Sequence, residues 1–250
     1  MPQSEHDYKQ KGKFINGGLS GIVELLPSGL ISKSPWPGFR NKDSRKEIAN
    51  EHEIYKHLGP HQRLVPIEGY TEEGVLLLQH MQHGNLADYL RAHSETISMG
   101  QRLQWATEAA EGLEFLHSKG VIHCDVKPKN FLLDDSLGLK IADFSSSALN
   151  GSYVLACKST RFSLPHGRQE KPTIRSDTFA LGCTTYMIMT GEDPYENLHS
   201  DEVTHLFKNG DFPSFKGTLC DEYIRQCWVG EIKSTREAYD CIKTLVITAR

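Results

Sequence analysis

The sequence predicts an α+β fold of two lobes, a small β-rich lobe in front of a larger, mostly helical one. Two observations carry this. The first eighty residues or so are short apolar runs broken by turn residues, with one helix among them. From Gly84 onward the apolar spacing becomes helical and the segments lengthen. A chain of 250 residues can bury a sizeable core, and lobes of unlike texture leave a cleft where ligands bind.

In the front part, "GIVELLPSGLISK" (21–33) is two apolar runs around Pro27-Ser28-Gly29, which predicts a β-hairpin. "SRKEIANEHEIYKHL" (44–58) carries Ile48, Ile54, Tyr55 and Leu58 at helical spacing, and Gly59-Pro60 ends it. "LVPIEGYTEEGVLLLQH" (64–80) reads as two strands around Glu73-Gly74. Behind Gly84, one helix starts at Asn85 and a long amphipathic one runs through 98–120 to Gly120. "NFLLD" and "LKIAD" predict a second hairpin around Ser136-Leu137-Gly138. "DTFALGCTTYMIMTG" (177–191) is almost wholly apolar and predicts a buried central helix, followed by helices near 201–208, 221–228 and 234–245.

Composition excludes several classes. The formal net charge of −4 and scattered basic residues give no nucleic-acid surface. No apolar run reaches the ~18 residues of a membrane span. The polar segment 1–13 lacks the apolar core of a signal peptide, so an intracellular, cytoplasmic chain is expected. Nothing in the sequence signals an oligomer. Cysteines at 124, 157, 183, 220, 227 and 241 form no Cys-x-x-Cys pair and are expected to be reduced and mostly buried. His80 and His83 have no partners at zinc spacing.

"VIHCDVKPKNFLLDD" (121–135) concentrates the chemistry. The hairpin places Asp125 and Asn130 on its entry and Asp143 on its exit, so the three can converge at the cleft floor. An amide and a carboxylate suit Mg²⁺, which takes few protein oxygens and fills its shell with phosphate. A further acid, Asp125, is free to act on a substrate proton, and Lys127 sets a positive charge beside the reacting phosphate. The chemistry indicated is phosphoryl transfer.

"HCDVKPKN" (123–130) resembles the catalytic loop of protein kinases of the serine/threonine type. Other pieces of that pattern follow in order. "NGGLSGIV" (16–23) is similar to the glycine-rich loop, and Lys33 to the strand lysine that holds the α- and β-phosphates. Glu51 falls where a helix glutamate pairs with that lysine, Leu78 at the gatekeeper, and Gln79 to Met81 at the hinge that meets adenine. "DFS" (143–145) stands for Asp-Phe-Gly, "SLPH" (163–166) for the Ala-Pro-Glu region, and Asp177 for the brace of the catalytic loop. His123 is expected to pack as a structural histidine. The resemblance implies a kinase domain over 14–250, with a small lobe to 78, a hinge at 79–83 and a large lobe from 84. It implies ATP contacts at Asn16, Gly18, Gly21, Val23, Lys33, Glu51, Gln79 and Met81. Metal ligands fall at Asn130 and Asp143, catalytic roles at Asp125 and Lys127, and the cofactors are ATP and Mg²⁺. The short small lobe is similar to compact kinase-like chains common in fungi.

Departures from the pattern are specific. Asn16 replaces the first loop glycine, and because asparagine tolerates left-handed backbone better than most residues, a weakened but still functional loop is expected. Cys124 replaces the arginine that receives an activation-loop phosphate, so activity independent of phosphorylation at Ser152, Ser159 or Thr160 is expected. Ser145 replaces glycine, and His166 a paired glutamate. Asp-x-Lys-Pro-x-Asn implies a protein serine or threonine acceptor, and Ser159 stands near the position of the threonine that in this family often contacts the residues matched by Asp125 and Lys127. Two rival readings stay open: a pseudokinase that binds nucleotide as a scaffold, and a small-molecule phosphotransferase. Retention of Lys33, Glu51, Asp125, Asn130 and Asp143 favours turnover.

Overall fold

The computed structural model describes residues 11–18, 20–151, 159–165, 171–214, 217 and 219–248. Its front lobe is a five-stranded antiparallel sheet in the order β1-β2-β3-β5-β4. The strands are β1 (Lys13–Gly17), β2 (Ile22–Leu25), β3 (Leu30–Ser34), β4 (Ile67–Tyr70) and β5 (Leu76–Gln79), with helix α1 (Asn41–Leu58) between β3 and β4. The rear lobe holds α2 (Leu86–His93), α3 (Met99–Ser118), α4 (Ile174–Thr190), α5 (Ser200–Lys208), α6 (Asp221–Val229) and α7 (Thr235–Thr248). Two small ladders lie at its top, β6 (Val121–Ile122) with β9 (Ala148–Leu149), and β7 (Phe131–Leu133) with β8 (Leu139–Ile141). This is the two-lobed α+β architecture expected.

Local chemistry explains the boundaries. In the β2–β3 hairpin Gly29 takes φ +86° and donates to the Leu26 carbonyl, while Leu26 N–H donates to Leu30 O at 2.8 Å. Gly59 (φ +67°) stops α1, as the Gly-Pro pair predicts. α1 begins at Asn41, ahead of the expected Ser44, because Ser44 Oγ accepts the Trp36 N–H at 2.9 Å and Asn41 Nδ2 donates to Trp36 O. The β7–β8 turn also differs from expectation. Its left-handed residue is Leu137 (φ +63°), whereas at Gly138 a Cβ would lie 2.9 Å from the Asp134 carboxylate, which accepts the Gly138 N–H.

α4 is the axis of the rear lobe. A Thr173–Ser176 capping box starts it, Gly191 (φ +86°) ends it, and every residue from Ser176 to Met189 is buried. A Cβ at Gly182 would stand 2.7 Å from that of Cys227, so glycine lets α6 close on α4. Trp105, Phe131, Phe144, Phe179 and Tyr223 are fully buried around this axis. Each such side chain contributes about 1.5–3 kcal/mol relative to exposure. Cys124, Cys183, Cys220 and Cys227 are buried in this interior, and burial pushes Cys183 and Cys220 up to about 12. Cys157, Ser152 and His166 lie outside the described residues. Among the described residues no helix is long and apolar enough to cross a membrane.

Candidate active site

The cleft is built from both lobes. One cavity, of about 240 Å³, is lined by Val23, Ile31, Val65, Leu78, Met81, Leu132 and Ala142 as apolar walls, with Lys33, Glu51, Asn130 and Asp143 at its inner end. A more polar recess adjoins it and is lined by Glu47, Asp88, Asp125, Lys127, Lys129 and Ser145. Asn130 and Asp143 line both, so they stand at the boundary between a flat apolar slot and a charged one.

β3 delivers Lys33 into the cleft because its side chain alternates with Ser32 and Ser34 on the opposite face. Its Nζ donates to Glu51 Oε2 at 2.6 Å and to Asp143 Oδ1 at 2.7 Å. Glu53, the rival helix carboxylate, is 61% exposed and binds Lys56 instead. Burial opposes the charge on Lys33, but Asp143 and Glu51 outweigh it and shift its ammonium upward. Burial likewise opposes ionisation of Asp143, yet Lys33 and the Ser145 hydroxyl (2.7 Å) hold its carboxyl well below the usual range. For Glu51 burial prevails over Lys33, and the shift is upward.

The loop after β6 is drawn into shape by Asp177. Its Oδ2 accepts the His123 N–H at 2.7 Å and its Oδ1 the Cys124 N–H at 3.0 Å, which sustains Cys124 at φ +70°. His117 Nε2 lies 2.9 Å from Asp177 Oδ2, and Thr235 Oγ1 lies 3.0 Å from His117 Nδ1, so α3 and α7 fix the aspartate in turn. His123 Nε2 packs 3.1 Å from the Ala142 carbonyl, well away from a proton-transfer role. Downstream, Asp125 Oδ2 accepts from Lys127 Nζ at 2.5 Å and from Asn130 Nδ2 at 2.9 Å. Asn130 thus spends its amide nitrogen on Asp125. Its side-chain Oδ1 and Asp143 Oδ2 take no hydrogen bond from the described residues. Two uncommitted hard oxygens on the rim of a polar recess fit a magnesium ion that shares its shell with phosphate.

The glycine loop differs in detail from expectation. Asn16 is in extended β1, with no positive φ, so left-handed tolerance is not what the position uses. Gly18 N–H closes the turn on Gly21 O at 3.1 Å, and Trp36 Nε1 donates to Gly18 O at 2.9 Å. A Cβ at Gly21 would meet Ser34 O at 2.4 Å, whereas one at Gly18 meets nothing. Gly21→Ala should therefore cost about 1–3 kcal/mol and lower the thermal midpoint, while Gly18→Ala leaves it near wild type. Melting curves of the two variants check this.

At the hinge, Met81 N–H has no acceptor among the described residues, while Gln79 N–H donates to Pro66 O. Ser159 precedes a short 3-10 turn (Thr160–Phe162), where its carbonyl accepts the Phe162 N–H at 3.0 Å. Sequence reasoning missed Ile31, Val65, Leu132 and Ala142 as cavity walls. Ile31 shares a strand face with Lys33, and Leu132 alternates with its buried neighbours Phe131 and Leu133, which were the available signals.

Residues 38–245 match the family model for protein tyrosine and serine/threonine kinase. The chain belongs to the protein kinase family. A leucine-rich repeat receptor-like serine/threonine-protein kinase of Arabidopsis thaliana is 32% identical over 81% of the chain and 24% of its own length. A second A. thaliana serine/threonine-protein kinase is 33% identical over 76% of the chain and 56% of its own. Fibroblast growth factor receptor 2 of Dugesia japonica is 27% identical over 65% and 21%. The chain thus spans about a fifth to just over half of these relatives. The family match of this kinase domain begins after Lys33.

Proposed function

We propose that the chain transfers the γ-phosphoryl group of ATP, in a Mg²⁺-dependent reaction, to a serine or threonine hydroxyl of a protein. The observation that carries this is Lys33 held between Glu51 and Asp143 at 2.6 and 2.7 Å, at the inner end of an apolar slot. The slot takes the adenine, with Leu78 as gatekeeper and Gln79 to Met81 along its edge. Asn16, Gly18, Gly21 and Val23 cover the nucleotide, and Lys33 reaches its phosphates. Asn130 and Asp143 would hold Mg²⁺, which when bound neutralises charge on the transferring phosphates.

Asp125 aims the incoming hydroxyl and accepts its proton. Lys127, paired to it at 2.5 Å, holds its carboxylate in position and offers positive charge to the phosphoryl oxygens. The active unit proposed is 14–250, with the hinge at 79–83; likeness to compact fungal chains rests on the ten residues separating Val23 from Lys33. The scaffold reading draws on the altered glycine loop, "DFS" and "SLPH"; the Ser145 hydroxyl adds a donor to Asp143, and none of the three changes removes an essential charge.

Purified protein with Mg²⁺ and labelled ATP should phosphorylate itself or a generic basic protein. ATP should raise its thermal midpoint only when Mg²⁺ is present, and Asp143→Asn should erase that dependence. ATP binding with no transfer would overturn the enzyme reading, and unchanged Mg²⁺ dependence in Asp143→Asn would overturn the metal assignment.

A further inference from the structure

Helix α1 touches the far side of the Asp143 turn through two consecutive residues. Glu51 Oε1 accepts the Phe144 N–H at 3.3 Å. Asn50 Nδ2 lies 3.3, 3.2 and 3.0 Å from the carbonyl oxygens of Phe144, Ser145 and Ser147. Two amide hydrogens thus serve three acceptors. The carbonyls are gathered by a tight turn in which Ser147 N–H donates to Phe144 O at 3.0 Å, and Ser145 and Ser147 are buried. Such a cluster repels itself and needs a donor at its focus.

The turn is wired to chemistry on both sides. Ser145 Oγ donates to Asp143 Oδ1, and Ser147 Oγ donates to the carbonyl of His123, two residues before Asp125. Phe144 packs edge-on against Tyr55 of the same helix, with ring centroids 5.0 Å apart. A displacement of α1 therefore removes the donor from the turn and the glutamate from Lys33 together. We propose that Asn50 is a positioning residue, whose side-chain amide locks residues 143–147 to α1 and so sets the aim of Asp143. It touches no substrate. The activity arm of this proposal rests on the phosphoryl-transfer reading, and the structural arm does not.

The test compares Asn50→Asp, Asn50→Gln and Asn50→Ala. Aspartate keeps the size and lacks the N–H; glutamine keeps the amide on a longer arm. Asn50→Asp and Asn50→Ala should lower kcat by roughly 10- to 100-fold, with KM for ATP changed by less than about threefold, because misaiming a reacting group costs rate more than binding. Asn50→Gln should retain more kcat than Asn50→Asp. Amide hydrogen exchange at 144–147 should quicken in the same order, measured without nucleotide. A folded Asn50→Ala with wild-type kcat, or wild-type exchange at 144–147, would overturn the proposal, as would Asn50→Asp outperforming Asn50→Gln. If the unmutated chain transfers no phosphate, the functional reading fails, and exchange alone decides whether Asn50 fixes the turn.

Discussion

Asp125→Asn should reduce phosphoryl transfer by about 10²- to 10⁴-fold while leaving the fold and ATP binding in place. The substitution is nearly isosteric, and Asp125 Oδ2 already sits in a frame of donors, Lys127 at 2.5 Å and Asn130 at 2.9 Å. A carboxamide oxygen can occupy that frame and keep Asn130 oriented. It then turns its NH₂ toward the incoming hydroxyl, where a proton acceptor is required. The adenine slot and the Lys33 cluster make no direct use of the lost charge. Initial rates with labelled ATP, beside a thermal-shift titration with Mg²⁺ and ATP, separate these effects. A variant retaining more than a tenth of the rate would show that Asp125 is not the acceptor-side residue.

Lys33→Met should remove transfer and also weaken the fold, since it strands a buried carboxylate. Glu51 is 1% exposed, and breaking one side of a buried pair costs about 3–5 kcal/mol. At about 2–4 °C per kcal/mol for a domain of this size, the midpoint should fall by roughly 6–20 °C. Asp143 adds less, because its side chain is 38% exposed and water reaches it. The deficit should depend on pH with a definite sign. Without its lysine, Glu51 keeps a raised folded-state value, so its ionised form destabilises the variant. The penalty then grows as pH rises through and above the ordinary glutamate range, and shrinks toward acid as the carboxyl takes up a proton.

In the intact chain Glu51 is raised as well, with Lys33 offsetting part of the effect of burial, and its two partners contribute beside it. The depressed Asp143 contributes stability that is full above its ordinary 3.8 and is lost as pH falls well below it. The raised Lys33 contributes stability that is full below its ordinary 10.5 and is lost only at higher pH. These two contributions should therefore be constant between about pH 5 and 9. Melting curves of both proteins across that range check the pair of expectations, and a pH-independent gap between them would contradict the burial argument.

What the sequence made legible follows how far each feature depends on near neighbours. The hairpin at Gly29, the stop at Gly59 and the apolar length of α4 are set by residues within one turn or strand, and all three were visible. The approach of Lys33 to Glu51 was reachable because strand alternation and helix phase each offer few choices. Features made by distant pairs were not visible. β6 and β9 are two residues each and pair across an interval that has no periodic signal. Strand β1 is exposed throughout, so no apolar alternation announces it. Trp36, which ties the loop carbonyl of Gly18 to the start of α1, reads in sequence as an ordinary aromatic between two prolines. The left-handed backbone considered for Asn16 is absent for a similar reason, because conformation at that position is imposed by pairing with Val23.

The relay from Thr235 through His117 to Asp177 makes the last helix a keystone for residues more than a hundred positions earlier. A chain trimmed ahead of Thr235 keeps every group that meets nucleotide or acceptor. It nevertheless releases the imidazole, lets the buried carboxylate swing, and strands the amides of His123 and Cys124 in a place water does not enter. Shortened versions designed around the cleft alone would thus lose the curvature of the loop that presents Asp125, with every cleft residue still in the chain.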